Sequence, residues 1–289
     1  MLRRVAEILS RGVVLKRRLP TQFGSGPLFV SPDSGLKYYR LDLETADPTL
    51  FRMAVELVRP GDIVWDIGAN VGLFTFAAAG LAGPRGRVIA VEPDTWLVSL
   101  LRRSAELAVS GRAPVTVIPA AVSDLIGLGN LHIASRGRSA NFMEQGATTQ
   151  AGGTRKTNCV VAVTLDCLFD NLPTPRVLKI DVEGMEDRVL AGGVRLLTEA
   201  RPKIWCEVSS RNAERVSKIL QGANYRMYNG SLDPVPRTRL SQAVWDTVAL
   251  PDRQFSMNHW AIPPNHLARE FEYIVHVPFP GEVQRPFPS

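Results

Sequence analysis

Two apolar runs, the first ending in a glycine-rich turn and the second in an acidic residue, constrain the fold of this chain more than any other feature. Residues 62–65 form the first run, and the turn has the sequence DIGANVG at 66–72. An apolar run before such a turn predicts a buried strand, and the apolar residues from Leu73 onward predict a helix. The second run, residues 88–91, predicts the next strand and ends at Glu92. This order of elements predicts an α/β fold with a parallel sheet.

The spacing between the turn and Glu92 predicts a nucleoside site. Glu92 lies 20 residues after Gly72, and in a strand-turn-helix-strand unit this spacing brings its carboxylate beside the turn. There it can accept hydrogen bonds from both hydroxyls of a ribose. The glycines alone would also suit an ordinary strand-to-helix turn, and the position of Glu92 argues against that alternative.

The residues of the turn indicate which nucleoside is bound. A dinucleotide site needs a third glycine so that a pyrophosphate can approach the backbone, whereas this chain has Gly68, Asn70 and Gly72 with no glycine at the third position. Asp66, at the strand tip, would repel a pyrophosphate and suits a cationic ligand. S-adenosylmethionine meets both conditions, because its sulfonium and amino groups are positive and its ribose hydroxyls can reach Glu92.

The third predicted strand, residues 115–118, leads into a loop at 119–124 that should face the adenine. The loop has small residues before Asp124, so backbone contacts to the adenine are expected from Ala121 or Val122. The predicted cofactor-binding residues are Asp66, Gly68, Asn70, Gly72, Thr75, Glu92, Ala121 and Val122.

Residues 128–160 are polar and rich in glycine, serine and threonine, which predicts a hairpin and loops over the site. The segment contains Arg136, Arg138, Arg155 and Lys156. These basic residues either meet an acidic substrate or belong to a solvated loop.

A second chemical cluster has the sequence RVLKIDVEG at 176–184. In an extended chain alternate residues share a face, so Lys179, Asp181 and Glu183 are predicted to point one way from a buried strand. The carboxyl ends of parallel strands meet at one rim, which would place these carboxylates near Asp66 and Glu92. The following strand, residues 203–208, contributes Glu207 to the same rim. A helix cap is the alternative role for Asp181 or Glu183.

A reaction at a hydroxyl group needs a base for the departing proton and close alignment of the reacting atoms. Asp181 is the first candidate for the base, Glu183 the second and Glu207 the third, with Lys179 holding Asp181 ionised or neutralising an oxyanion. A divalent cation bridged by the three carboxylates is a less favoured alternative, and no metal ligand is assigned. His259 is a further possible base, although a structural role is favoured for a lone histidine.

A succession of motifs resembles the FkbM family of S-adenosylmethionine-dependent methyltransferases. The motifs are DIGANVG at 66–72, VEP at 91–93, VTLD at 163–166, LKIDVEG at 178–184, Glu207 and AIP at 261–263, and KIDVEG is the discriminating string. The resemblance covers about residues 47–263. It implies the class I methyltransferase fold, a Rossmann-like, doubly wound sheet of seven strands that is mostly parallel, with an antiparallel last strand expected at 260–262. It also implies O-methylation, often of a sugar or natural-product hydroxyl.

The N-terminal segment carries most of the net charge. The first 20 residues hold six Lys or Arg and one Glu, in a chain whose formal net charge is +6. Leu2, Val5, Leu9 and Val13 recur at helical spacing, which predicts a basic amphipathic helix on an anionic surface or a partner, or else a solvated helix packed on the domain edge. Residues 1–45 are therefore assigned to a basic, partly helical segment, 46–263 to the methyltransferase domain, and 264–289 to a proline-rich tail expected to be disordered.

Length and cysteine content bound the class of protein. A chain of 289 residues is long enough for one large α/β domain with appendages. Its longest apolar stretch, residues 73–83, is shorter than a membrane span requires. Cys159, Cys167 and Cys206 are odd in number and match no zinc or disulfide pattern, so a reduced, cytoplasmic setting is expected.

The sequence thus predicts an S-adenosylmethionine-dependent O-methyltransferase that acts on a small-molecule or glycan acceptor. The alternatives are a nucleoside-binding protein of the same fold without catalysis, and a nicotinamide-dependent oxidoreductase. A nucleic acid partner is not expected, because aromatic residues do not interleave with the basic N-terminal residues. The sequence does not indicate the oligomeric state.

Overall fold

The computed structural model describes residues 2–144, 152–231 and 239–252. The helices in these ranges are α1 Leu2–Leu9, α2 Pro48–Leu57, α3 Leu73–Ala82, α4 Thr95–Ala105, α5 Leu165–Asn171, α6 Glu186–Ala191 and α7 Ala213–Gly222. The strands are β1 Leu15–Arg18, β2 Pro27–Val30, β3 Ile63–Ile67, β4 Arg87–Val91, β5 Val115–Ile118, β6 Ala121–Val122, β7 Gly127–Ala134, β8 Phe142–Met143, β9 Thr154–Val163, β10 Val177–Ile180, β11 Lys203–Glu207, β12 Tyr225–Asn229 and β13 Asp246–Pro251. None of the helices in these ranges has the length and apolar character of a membrane span.

The central sheet has seven strands in the order β12-β13-β11-β10-β3-β4-β5. The five strands from β11 to β5 pair in parallel, and β13 runs antiparallel to both β11 and β12. This confirms the predicted seven-stranded, mostly parallel sheet with one antiparallel strand. The antiparallel strand lies at Asp246–Pro251, so its predicted position at 260–262 was wrong; those residues lie outside the described part of the chain.

Helices and their apolar residues cover both faces of the sheet, as a doubly wound fold requires. One core cluster joins residues of α2, α3 and α4 with one face of the sheet. The other joins residues of α5, α6 and α7 with the opposite face. Three of the helices begin at a polar side chain that accepts a hydrogen bond from the first turn: Asp47 caps α2, Asp94 caps α4 and Thr164 caps α5.

The basic N-terminal segment forms only a short helix. α1 ends at Leu9, and β1 and β2 pair as an antiparallel hairpin that includes the basic residues 16–18. Leu2, Val5 and Leu9 lie in α1, as the spacing predicted, whereas the prediction that the helix extends to Val13 was wrong. Phe23, Leu28 and Val30 are buried in the same cluster as α3 and α4, so the segment packs on the sheet domain.

A second, four-stranded sheet has the order β6-β9-β7-β8. β7 and β9 pair antiparallel over most of their length, which confirms the predicted hairpin in the polar region 128–160. A small apolar cluster that includes Leu131, Met143 and Met185 lies beneath this sheet. The sheet thereby forms one wall of the cavity described next.

Candidate functional site

A cavity of about 620 Å³ lies beyond the carboxyl ends of the parallel strands β3, β4 and β10. This is where ligands bind in open α/β sheets. Predicted residues from both chemical clusters line it together, namely Gly68, Asn70, Glu92, Val122, Asp181 and Glu183. The structure therefore joins the two halves of the site that the sequence placed at one rim.

Gly68 lets the ends of two neighbouring strands come close together. Its φ is +76°, and a Cβ placed on it would lie 1.8 Å from the backbone oxygen of Asp181. A side chain at this position would thus push apart the turn after β3 and the segment after β10. The requirement for glycine here comes from the protein backbone itself.

Glu92 is held in place by the turn. Its Oε2 accepts a hydrogen bond from the backbone N–H of Asn70 at 2.8 Å, and its Oε1 accepts one from the N–H of Asp94 at 2.9 Å. Each carboxylate oxygen can accept a second hydrogen bond, so both oxygens keep capacity for a ligand. Burial raises the pKa of Glu92 to about 7, although the two backbone hydrogen bonds act in the opposite direction.

Three predicted cofactor residues lie behind the cavity wall. A Cβ at Gly72 would meet Leu101 and Phe76, so this residue faces the core at the start of α3. Asp66 is fully buried and accepts a hydrogen bond from the hydroxyl of Thr75 at 2.5 Å. Direct contact of these residues with a cofactor stays a prediction.

Lys179 links the two acidic clusters. Its Nζ lies 3.2 Å from Asp66 Oδ1 and 3.2 Å from Asp181 Oδ2, and it donates a hydrogen bond to the carbonyl of Gly68 at 2.9 Å. Burial would lower the pKa of Lys179, but Asp181, Asp66 and Glu207 outweigh burial and raise that pKa above its ordinary value. The lysine is therefore charged and ties the turn after β3 to the segment after β10.

Asp181 and Glu183 both line the cavity but do not continue the strand. β10 ends at Ile180, and Glu183 has a left-handed φ of +48°. The prediction of one continuous strand face through Lys179, Asp181 and Glu183 was wrong for this reason. Burial raises the pKa of Glu183 to about 8, and the charges of Asp181 and Glu186 add to the shift.

The alternative role of Asp181 or Glu183 as a helix cap is not observed. Met185 occupies the cap position of α6, and no side chain bonds there. Glu186 instead accepts a hydrogen bond from the backbone N–H of Gly184 at 2.7 Å.

Glu207 ends β11, as predicted, and lies close enough to Asp181 for their charges to interact. The charge of Asp181 and burial both raise the pKa of Glu207, against the opposing effect of Lys179. Glu207 is not among the described residues that line the cavity. Its carboxylate therefore influences the charges of Asp181 and Lys179 without lining the cavity itself.

Ala121 and Val122 lie where the adenine was expected. They form β6, and both line the cavity beside Pro93 and Leu97. Their backbone groups are partly engaged with β9. Backbone contact with an adenine stays a prediction.

Arg138 is a cavity residue whose partners the sequence did not reveal. It forms ion pairs with Asp33 and Asp94, and its guanidinium lies 4.5 Å from the centroid of the Trp96 ring. Arg155 also pairs with Asp33, at 2.8 Å. Two of the basic residues predicted to meet a substrate or solvent are thus paired within the chain.

The N-terminal segment reaches the glycine turn itself. The hydroxyl of Ser34 donates a hydrogen bond to Asn70 Oδ1, which also accepts the backbone N–H of Val71. Only a short polar motif around residues 31–34 marks this contact in the sequence. Within the described ranges no group of three or more His, Cys, Asp or Glu is arranged to hold a metal ion, and His259 lies outside those ranges.

Comparison with known proteins connects this geometry to a family. Residues 66–227 match the family model described as the Methyltransferase FkbM domain. The chain is 27% identical over 150 residues to the hexuronic acid methyltransferase AglP of Haloferax volcanii. The aligned region covers 50% of this chain and 54% of AglP. The chain thus spans about half the length of the curated relative that it matches.

Solved structures with a similar arrangement are distant in sequence. A methyltransferase FkbM from Methylobacillus flagellatus aligns with a TM-score of 0.40 and 17% identity, over 69% of this chain and 49% of that one. Fibrillarin from Aeropyrum pernix, solved with natively bound S-adenosyl-L-methionine, aligns with a TM-score of 0.40 and 14% identity, over 70% of this chain and 76% of that one.

Proposed function

The chain belongs to the FkbM methyltransferase family, and on that premise we propose that it is an S-adenosylmethionine-dependent O-methyltransferase that acts on a hydroxyl of a sugar, glycan or natural product. The observation that carries the proposal is the shared cavity. Glu92 enters it from the cofactor half of the fold, and Asp181 and Glu183 enter it from the other half.

The residues present fit S-adenosylmethionine. Glu92 keeps acceptor capacity on both carboxylate oxygens while two backbone N–H groups fix its position. Small residues, Ala121 and Val122, leave room for a flat base beside Leu97. When bound, S-adenosylmethionine supplies a methyl group on a positively charged sulfur.

The protein contributes position and a proton acceptor. In-line transfer requires the acceptor oxygen to lie at about 3 to 3.5 Å from the methyl carbon, which confines the hydroxyl to the end of the cavity near Asp181. Lys179 engages Asp181 Oδ2 at 3.2 Å, which leaves Oδ1 to orient the hydroxyl and accept its proton. Glu183 is the second candidate for this proton, because it lines the same part of the cavity.

The acceptor class is supported by one relative. The hexuronic acid methyltransferase AglP is named for a sugar acid, and a sugar hydroxyl is a suitable acceptor for the carboxylates at this rim. The match covers about half of each protein, so the sugar assignment is the part of the proposal that most needs a direct test.

Calorimetry tests the cofactor and product analysis tests the reaction. We expect the full chain to bind S-adenosylmethionine and its demethylated product, and Glu92→Ala to weaken both. Glu106→Ala is the matched control, since Glu106 is exposed at the end of α4. Tight binding of NAD without binding of S-adenosylmethionine would sink the proposal. NMR of products from a panel of sugar acceptors would then show whether the methyl group is on oxygen.

A further inference from the structure

A second cavity lies near the first, next to one turn of the chain. Its empty space is about 1010 Å³, part of which is open to solvent, and Gly184 contributes to its lining. Glu183, the neighbour of Gly184, lines the first cavity. The two cavities therefore lie on either side of the Glu183–Gly184 turn.

Basic side chains dominate the second cavity. Three arginines and two aspartates line it, namely Arg188, Arg211, Arg215, Asp124 and Asp187. They come from three parts of the chain, because Asp124 follows β6, Asp187 and Arg188 lie in α6, and the other arginines lie in or just before α7. The charged residues of the lining thus sum to a positive charge at neutral pH.

Two of the arginines keep hydrogen-bond donors for a ligand. Arg188 Nη1 lies 3.3 and 3.4 Å from the oxygens of Asp124, which are long contacts for an ion pair. Arg215 binds Asp187 through Nε at 2.7 Å and Asn212 through Nη2 at 2.9 Å. A guanidinium has five N–H donors in a planar arrangement that suits carboxylate and phosphate oxygens. These internal contacts therefore position the arginines without using all their donors.

We propose that this cavity is the anion subsite of the acceptor, where the arginines bind a carboxylate or phosphate group of the molecule whose hydroxyl is methylated. The proposal rests on the methyltransferase function stated above and adds the substrate class, an acidic alcohol such as a sugar acid or a sugar phosphate.

The charges of the two cavities would orient such a molecule. Asp181, which lines the first cavity, repels an anion from the reacting end. Arg188 and Arg215 attract it on the far side of the Glu183–Gly184 turn. The hydroxyl and the anionic group of one acceptor molecule would thus bind on opposite sides of that turn.

Calorimetry on the full chain tests the subsite with two simple anions. Inorganic pyrophosphate represents a phosphate source and D-glucuronate a carboxylate source, with D-glucose as the neutral control. We expect at least one anion to bind, and its dissociation constant to rise at least about tenfold in Arg188→Gln/Arg215→Gln, because charge-assisted hydrogen bonds are lost. Which anion binds identifies the source.

The matched control is Arg195→Gln, which removes an exposed arginine paired with Asp170 away from this cavity. Arg215→Gln alone serves if the double variant does not fold, since its side chain is 65% exposed. Failure of both anions to bind, unchanged affinity in the cavity variants, or an equal loss in Arg195→Gln would overturn the proposal. Binding of S-adenosylmethionine in the same samples separates the two claims, because its failure would count against the methyltransferase function and not against the anion site.

Discussion

Asp33 and Arg138 form an ion pair of 2.9 Å although 105 residues separate them in the sequence. Asp33 is 2% exposed and belongs to the N-terminal segment, which lies outside the part of the chain that matches the family model. Arg138 lines the cavity beyond the parallel strands and also pairs with Asp94. The N-terminal segment therefore supports the cavity through a buried charge.

Replacement of Asp33 by asparagine should destabilise the protein by about 3 kcal/mol, because two arginines would lose a buried carboxylate partner. The dissociation constant for S-adenosylmethionine should rise as well, since Arg138 forms part of the cavity wall. Urea unfolding followed by tryptophan fluorescence, together with calorimetry, measures both effects. Asp170→Asn removes an exposed ion pair with Arg195 and should leave both quantities nearly unchanged. Equal stability of the two variants would contradict the structural role of Asp33.

Local sequence was enough to predict that the glycine turn and Glu92 lie together. The turn and Glu92 lie within one strand-turn-helix-strand unit, and the geometry of that unit is set by chain connectivity. The backbone N–H of Asn70 accordingly meets the Glu92 carboxylate. The seven-stranded, mostly parallel sheet with an antiparallel strand was likewise implied by the resemblance to the family.

Contacts between distant segments could not be predicted in the same way. The sequence around Asp33 or Arg138 does not predict that the two residues form an ion pair, because this contact depends on how the N-terminal segment packs. The assignment of Glu183 to a strand face failed for a local reason. Period-two alternation assumes extended backbone, and the chain leaves that conformation after Ile180.

The affinity for S-adenosylmethionine should depend on pH through Glu92. The pKa of this carboxyl is raised by burial to about 7, so protonation below that value removes the charged acceptor from the ribose hydroxyls. The dissociation constant should therefore rise as pH falls from about one unit above that pKa to about one unit below it. Calorimetry at the two pH values measures the change.

In Glu92→Gln the affinity should be about tenfold weaker at the higher pH and much less dependent on pH, because a charge-assisted hydrogen bond is lost and no proton is gained. A pH dependence in this variant equal to that of the natural protein would assign the effect to another group.

Gly68→Ala should cost about 3 kcal/mol or more of unfolding free energy. A Cβ there would combine left-handed strain with a 1.8 Å clash against the Asp181 carbonyl. Gly61→Ala is the matched control, since Gly61 has a similar φ of +84° and its Cβ would meet nothing within 4 Å. Thermal unfolding of the two purified variants separates strain from clash. Similar melting temperatures would mean that the strands separate easily at this point.

Asp181→Asn should lower kcat by about 10²- to 10⁴-fold, because the proton acceptor for the hydroxyl is lost. The affinity for S-adenosylmethionine should change little, since Lys179 keeps its contacts with Asp66 and with the carbonyl of Gly68. The measurement is turnover with the acceptor found by product analysis, with calorimetry of the cofactor beside it. Asp170→Asn is again the exposed control.

Glu183 provides the sharpest alternative to Asp181, because its pKa of about 8 predicts a different pH profile. If Glu183 accepts the proton, kcat should rise with pH and level off above about that value, since only the ionised form is a base. That rise should then disappear in Glu183→Gln, and Asp181→Asn should stay active. If Asp181 accepts the proton, Glu183→Gln should keep most of the turnover, and the rise near that pKa should be absent from the natural protein.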